Sequence, residues 1–131
     1  MEYIKEFDNW NTKKKEIDLN NKESFYHERE VWWCNLGVNI GFEEDGKGKD
    51  FVRPVLILKG FSKDVFICIP LTTKIRKGKY YFNIDLNDGI ERNVILSQIR
   101  LIDSKRLQEK ICMIDEKQFK EIKQKVIQNL E

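Results

Sequence analysis

Arg53-Pro54-Val55-Leu56-Ile57-Leu58-Lys59, then Gly60-Phe61-Ser62-Lys63, then Asp64-Val65-Phe66-Ile67-Cys68-Ile69-Pro70: the fold turns on this stretch. Two β-branched, apolar runs of strand length flank a short link that opens with glycine, which reads as a hairpin. If the runs pair antiparallel, the start of the first lies beside the end of the second. Arg53 then meets Pro70-Leu71-Thr72-Thr73, where hydroxyls leave the apolar run.

More strands lie on either side. Glu30–Leu36 carries Val31, Trp32, Trp33 and Leu36, and adjacent tryptophans on a strand fall on opposite faces. Gly41–Asp50 is a long, charged loop with three glycines. Tyr80–Leu86 alternates, and Asn87-Asp88-Gly89 is a turn signal. Asn93–Leu96 and Gln98–Ile102 read as short strands, Ser104–Leu107 as a helical turn, and Lys110–Ile114 as a closing strand. The ends read as helices. Residues 2–20 place Tyr3, Phe7 and Trp10 on one face, with Ile17 a further seven on. Asn20-Asn21 stops that helix, and 21–29 is a polar link. Asp115, with Gln118 three residues on, is an N-cap pattern for a final helix striped by Phe119, Ile122, Val126 and Leu130. The expected class is mainly β with flanking α: a small barrel-like or twisted antiparallel sheet with an N-terminal and a C-terminal helix. Residues 1–29 form a helical extension and linker; 30–131 form the barrel domain.

Composition excludes several classes. A chain of 131 residues, 40% apolar and 35% charged, is one soluble globular domain. No apolar run nears the roughly 18–20 residues of a membrane helix. The N-terminus lacks the basic-then-apolar pattern of a signal peptide, so the expected location is cytoplasmic. Cys34, Cys68 and Cys112 are widely spaced among apolar neighbours and read as reduced core thiols. One histidine and no Cys-x-x-Cys give no zinc pattern. Gly46-Lys47-Gly48-Lys49 lacks phosphate-loop spacing. His27 is the sole imidazole and the only candidate general base of that kind.

Charge is more informative in its distribution than in its total of +2. Within residues 51–81, Arg53, Lys59, Lys63, Lys74, Arg76, Lys77 and Lys79 oppose Asp64 alone, while the preceding segments are net acidic. A basic strip on a sheet is an electrostatic footprint for phosphate, although a charged loop also guards a sheet edge. Pro54 pushes Arg53 into extended geometry. A guanidinium, a hydroxyl and a cationic rim are suited to gripping a phosphodiester.

Five elements in order resemble the MazF/PemK/Kid family of toxins from prokaryotic toxin–antitoxin modules: Glu30-Val31-Trp32-Trp33-Cys34-Asn35-Leu36; Ile40-Gly41 with Glu43 behind it; Arg53-Pro54-Val55-Leu56-Ile57-Leu58; Ile69-Pro70-Leu71-Thr72-Thr73; and Asn93 through Leu107. The resemblance spans about residues 30–130 and leaves 1–29 as an extension. It implies an SH3-like barrel, usually a homodimer, with a cognate antitoxin protein as partner. The implied activity is a sequence-specific endoribonuclease on single-stranded RNA that needs no metal or other cofactor. In it the substrate's 2′-OH attacks phosphorus, leaving a 2′,3′-cyclic phosphate and a 5′-OH. The family's active arginine matches Arg53 and its active hydroxyl Thr72, with Thr73 one residue off. Glu43 matches the acidic residue after the loop glycine. Gln98 and Arg100 match a segment assigned to structure and a groove, with Gln98 also a candidate RNA contact. Lys74, Arg76, Lys77 and Lys79 are expected to meet RNA backbone. The alternative is a non-catalytic barrel that binds nucleic acid or protein, which the presence of both Arg53 and Thr72 disfavours. A gyrase-poisoning relative depends on a C-terminal Trp-Gly-Ile, where this chain reads Gln128-Asn129-Leu130-Glu131.

Overall fold

The two central runs are continuously apolar because the sheet they form is covered on both faces. In the computed structural model, which describes residues 4–131, they are β2 (Val52–Gly60) and β3 (Val65–Thr72). The other strands are β1 (Glu30–Asn35), β4 (Tyr81–Ile84), β5 (Arg92–Ile95), β6 (Arg100–Asp103) and β7 (Leu107–Met113). Helices α1 (Phe7–Leu19) and α2 (Glu116–Leu130) flank them, and Ser104–Arg106 makes one 3-10 turn. All pairings are antiparallel, and the strand path runs β4-β5-β3-β2-β1-β7. The first half of β3 pairs with β6 and its last two residues pair with β5, so two strands share one edge of β3. Among the described residues, strand pairing does not close the sheet into a ring.

Alternation divides the side chains between two cores. Val31, Leu56, Leu58, Ile69 and Leu71 face one cluster, which α2 covers with Phe119, Ile122 and Val126. Trp32, Cys34, Val55, Ile57, Phe66, Cys68, Ile102 and Leu107 fill the other. Cys34 and Cys68 are buried free thiols, and burial pushes the Cys34 thiol up to about 12. Asp115 caps α2 by accepting the Gln118 N–H at 2.7 Å. The predicted stripe stops at Val126, because Leu130 is exposed.

The N-terminal helix is shorter than its pattern predicts. Residues 4–6 precede it without helical structure, and Tyr3 lies outside the described residues. Phe7 is half exposed, leaving Trp10 as the anchor. Trp10 packs with Val38 and Phe51, assisted by Ile17, in a small separate cluster. Gly37 has φ +75°, and a Cβ there would lie 1.9 Å from the Trp10 ring. The chain needs glycine at this position for both its backbone angle and its contact with the indole.

Candidate functional site

The site grows from the open end of the β2–β3 hairpin. Val55 sits opposite Pro70, which brings Arg53, two residues before, near Thr72, two residues after. On its other side Arg53 pairs with Cys34 of β1. Three strands thus fix the backbone that carries the guanidinium. Arg53 is 7% exposed and Thr72 8%, and both line a cleft of about 750 Å³.

The long loop after β1 forms one wall and is folded back on itself. The Gly46 N–H donates to Gly37 O at 2.8 Å, and Lys47 and Val52 bridge. Asn35 Nδ2 donates to Asp50 O at 2.6 Å. The loop also grips Arg53. Nε of Arg53 donates to Asp45 O (2.6 Å), Nη1 to Leu71 O (3.1 Å), and Nη2 meets Glu44 Oε1 at 2.7 Å. The planar fork is held from three directions, which sets its orientation. Lys74 and Arg76 line the same cleft. Thr72 Oγ1 accepts the Lys74 N–H at 3.2 Å. Asn93, paired with Thr72 across the β3–β5 ladder, donates from Nδ2 to Arg76 O at 2.8 Å. Asn93 therefore pins the basic turn against the end of β3.

The predicted residues divide by position. Arg53, Thr72, Glu43, Lys74, Arg76 and Gln98 all line the cleft. Thr73, Lys77 and Lys79 are exposed and are not among its lining residues; Lys79 stacks over the Tyr80 ring at 5.1 Å. His27 is an exposed side chain three residues before β1, 3.5 Å from Glu30 Oε2, and does not line the cleft. Glu43 turns its carboxylate onto the Ile40 N–H at 2.9 Å, so the carboxylate on Arg53 is that of Glu44, one residue further on. Gln98 uses both ends of its amide on the loop. Oε1 accepts the Glu44 N–H at 2.7 Å, and Nε2 donates to Phe42 O at 3.2 Å.

Sequence reasoning missed Lys5, Glu44, Asp45 and Asn93. A run of three acids at Glu43-Glu44-Asp45 signals a carboxylate near Arg53 without telling which one reaches it. The charge map also changes. Lys74 and Arg76 line the cleft together with Glu43, Glu44 and Asp45 and with Lys5 and Lys47, so the cleft carries both signs of charge. Lys59 belongs elsewhere, 3.8 Å from Glu28. Among the described residues, no group of three or more His, Cys, Asp or Glu side chains is placed to hold a metal ion.

This arrangement joins Arg53, Thr72 and the Asn93 segment, and residues 27–130 match the model of the PemK-like, MazF-like toxin of type II toxin-antitoxin systems. The chain belongs to that family. Among its relatives, endoribonuclease EndoA of Bacillus subtilis (strain 168) is 29% identical over 102 residues, covering 71% of this chain and 84% of that one. The fold is also that of MazF (Form-I) from Deinococcus radiodurans, with TM-score 0.69 at 18% identity over 82% of this chain and 98% of that one. An endoribonuclease in complex with its cognate antitoxin, from a mycobacterial species, matches with TM-score 0.61 at 16% identity over 80% of this chain and 94% of the other. The PemK/MazF match begins at residue 27, so α1 and the segment before it stand outside the shared region.

Proposed function

We propose that this PemK/MazF-family toxin is an endoribonuclease that cleaves single-stranded RNA at the cleft holding Arg53 and Thr72. One observation carries the reading: the open end of the hairpin puts a buried guanidinium and a buried hydroxyl on one cleft, which Lys74 and Arg76 also line. The name of the Bacillus relative supports the activity, and the antitoxin complex of the mycobacterial relative supports a protein partner. A second copy of the chain is the other expected partner. The cell's cytoplasm, where RNA is met, is the expected place of action.

The chemistry follows from charge. The 2′-OH attacks the adjacent phosphorus, the O2′–P bond forms and the P–O5′ bond breaks. The proton lost by the 2′-oxygen is balanced by one gained at the 5′-oxygen. Negative charge grows on the non-bridging oxygens, and Arg53 is the fixed cation positioned to stabilise it. Thr72 hydrogen-bonds the phosphate or the attacking hydroxyl and aligns it in line. Lys74 and Arg76 hold neighbouring phosphates and fix the strand without reading bases.

The test is to incubate the purified protein with a long RNA in the presence of EDTA and map the new ends. We expect cleavage at a limited set of sequences, leaving 5′-OH ends, undiminished by chelator. Uncut RNA, or cleavage abolished by EDTA, would overturn the reading.

A further inference from the structure

Lys5 reaches the cleft from outside the family's shared region. Its Nζ donates to Asn39 O at 2.5 Å and to Gly41 O at 3.0 Å, and it pairs with Asp45 Oδ2 at 3.3 Å. Asp45 Oδ1 meanwhile accepts the Asn39 N–H at 2.6 Å. One ammonium therefore joins the two ends of segment 39–45, with its side chain only 17% exposed. The same segment delivers the two groups that hold Arg53, the Asp45 carbonyl and the Glu44 carboxylate. Trp10, seated against Gly37, Val38 and Phe51, fixes the arm on which Lys5 is carried.

The carboxylate on Arg53 matters for an incoming anion. Glu44 at 2.7 Å occupies a place on the guanidinium that a phosphodiester oxygen would use. Two anions on one fork repel, so a substrate phosphate competes with Glu44 for the guanidinium. Resting on the RNA-cleaving reading, we propose that Lys5 is a positioning residue. By clasping segment 39–45 it holds Glu44 on Arg53, and so sets the fraction of molecules whose guanidinium is open to an RNA phosphate. Apparent affinity scales directly with that open fraction.

Deleting a lysine beside a nucleic-acid cleft ordinarily weakens binding, because a cation is lost. Here Lys5→Ala strengthens it. The experiment uses the full chain and a mixed-sequence, 2′-O-methylated RNA oligonucleotide, which lacks the attacking hydroxyl and so reports binding alone. Hydrogen exchange of the amides of residues 39–46 is followed alongside. In Lys5→Ala, loop exchange should accelerate and Kd should fall by about three- to tenfold, as a larger open fraction requires. Lys5→Arg should stay near the parent. Glu44→Gln should also tighten binding, and adding Lys5→Ala to it should bring no further gain, since both act through one contact. Unchanged loop exchange, weaker binding by Lys5→Ala, or additive effects would each overturn the role of Lys5. Absence of RNA binding by the parent and every variant would instead bring down the RNA reading, and this proposal with it.

Discussion

Arg53 is both buried and held from three sides, so its replacement has two separable consequences. Arg53→Ala should lower RNA cleavage by about 10²–10³-fold, the scale for removing one donor that stabilises developing charge. It should also cost about 1–3 kcal/mol of stability by leaving buried partners unpaired. A denaturant titration beside the cleavage assay reads both, and retained cleavage would remove Arg53 from the site. Glu30 carries a second prediction at this scale. Burial alone would raise its carboxyl, but hydrogen bonds from Lys110, Trp32 and the His27 N–H outweigh burial and hold it below the usual glutamate value of 4.5. A depressed carboxyl stabilises the fold above that value and loses its contribution as pH falls through the lowered one. The melting temperature should therefore drop on acidification through that window, and drop less in Glu30→Gln. Glu44 marks the limit of what residue types alone disclose. The sequence places three acids near Arg53, and only the course of the loop, with its Ile40–Glu43 turn and the Gln98 clasp, selects the middle one.

At the scale of elements, legibility followed local chemistry. The central hairpin was readable because continuous apolar runs and a glycine-led link are local signals, and the register that joins Arg53 to Thr72 follows from them. Asp115 and Gln118 announced the start of α2 in the same way. The alternation of Tyr80–Leu86 ended as the shorter strand β4, with Ile84 and Leu86 buried but Tyr80 exposed. Loop contacts were not readable. Nothing in Gly41–Asp50 announces that it folds back onto Gly37 and Arg53, because its partners lie on other elements. Helix α1 begins at Phe7, and its one buried residue, Trp10, makes its deep contact. That contact depends on Gly37. Gly37→Ala should cost about 1–2 kcal/mol from the left-handed backbone alone, and more from the overlap with the indole. A chemical denaturation midpoint checks this, and unchanged stability would mean that Trp10 is not seated there.

For the whole molecule, the useful reading of charge was local rather than total. The basic run divides into cations that face the cleft and cations that do not. Lys77, exposed and outside the cleft lining, should act as a diffuse backbone contact. Lys77→Ala should weaken RNA binding across sequences and reduce the salt slope by about one phosphate's worth. A change in base preference instead would make Lys77 a reader of sequence. The sheet was legible in strand number and direction. Its open path was not, because closure depends on how β5 and β6 divide one edge of β3, a long-range choice with no local mark.

The docking of α1 also has a consequence in time. Lys5 and Trp10 are synthesised before Asp45 and Phe51, so the arm leaves the ribosome about forty residues ahead of the surfaces that receive it. It waits without partners until β1 and the loop after it exist. The grip on segment 39–45 therefore becomes available once residue 45 has been made, before the strand that carries Arg53.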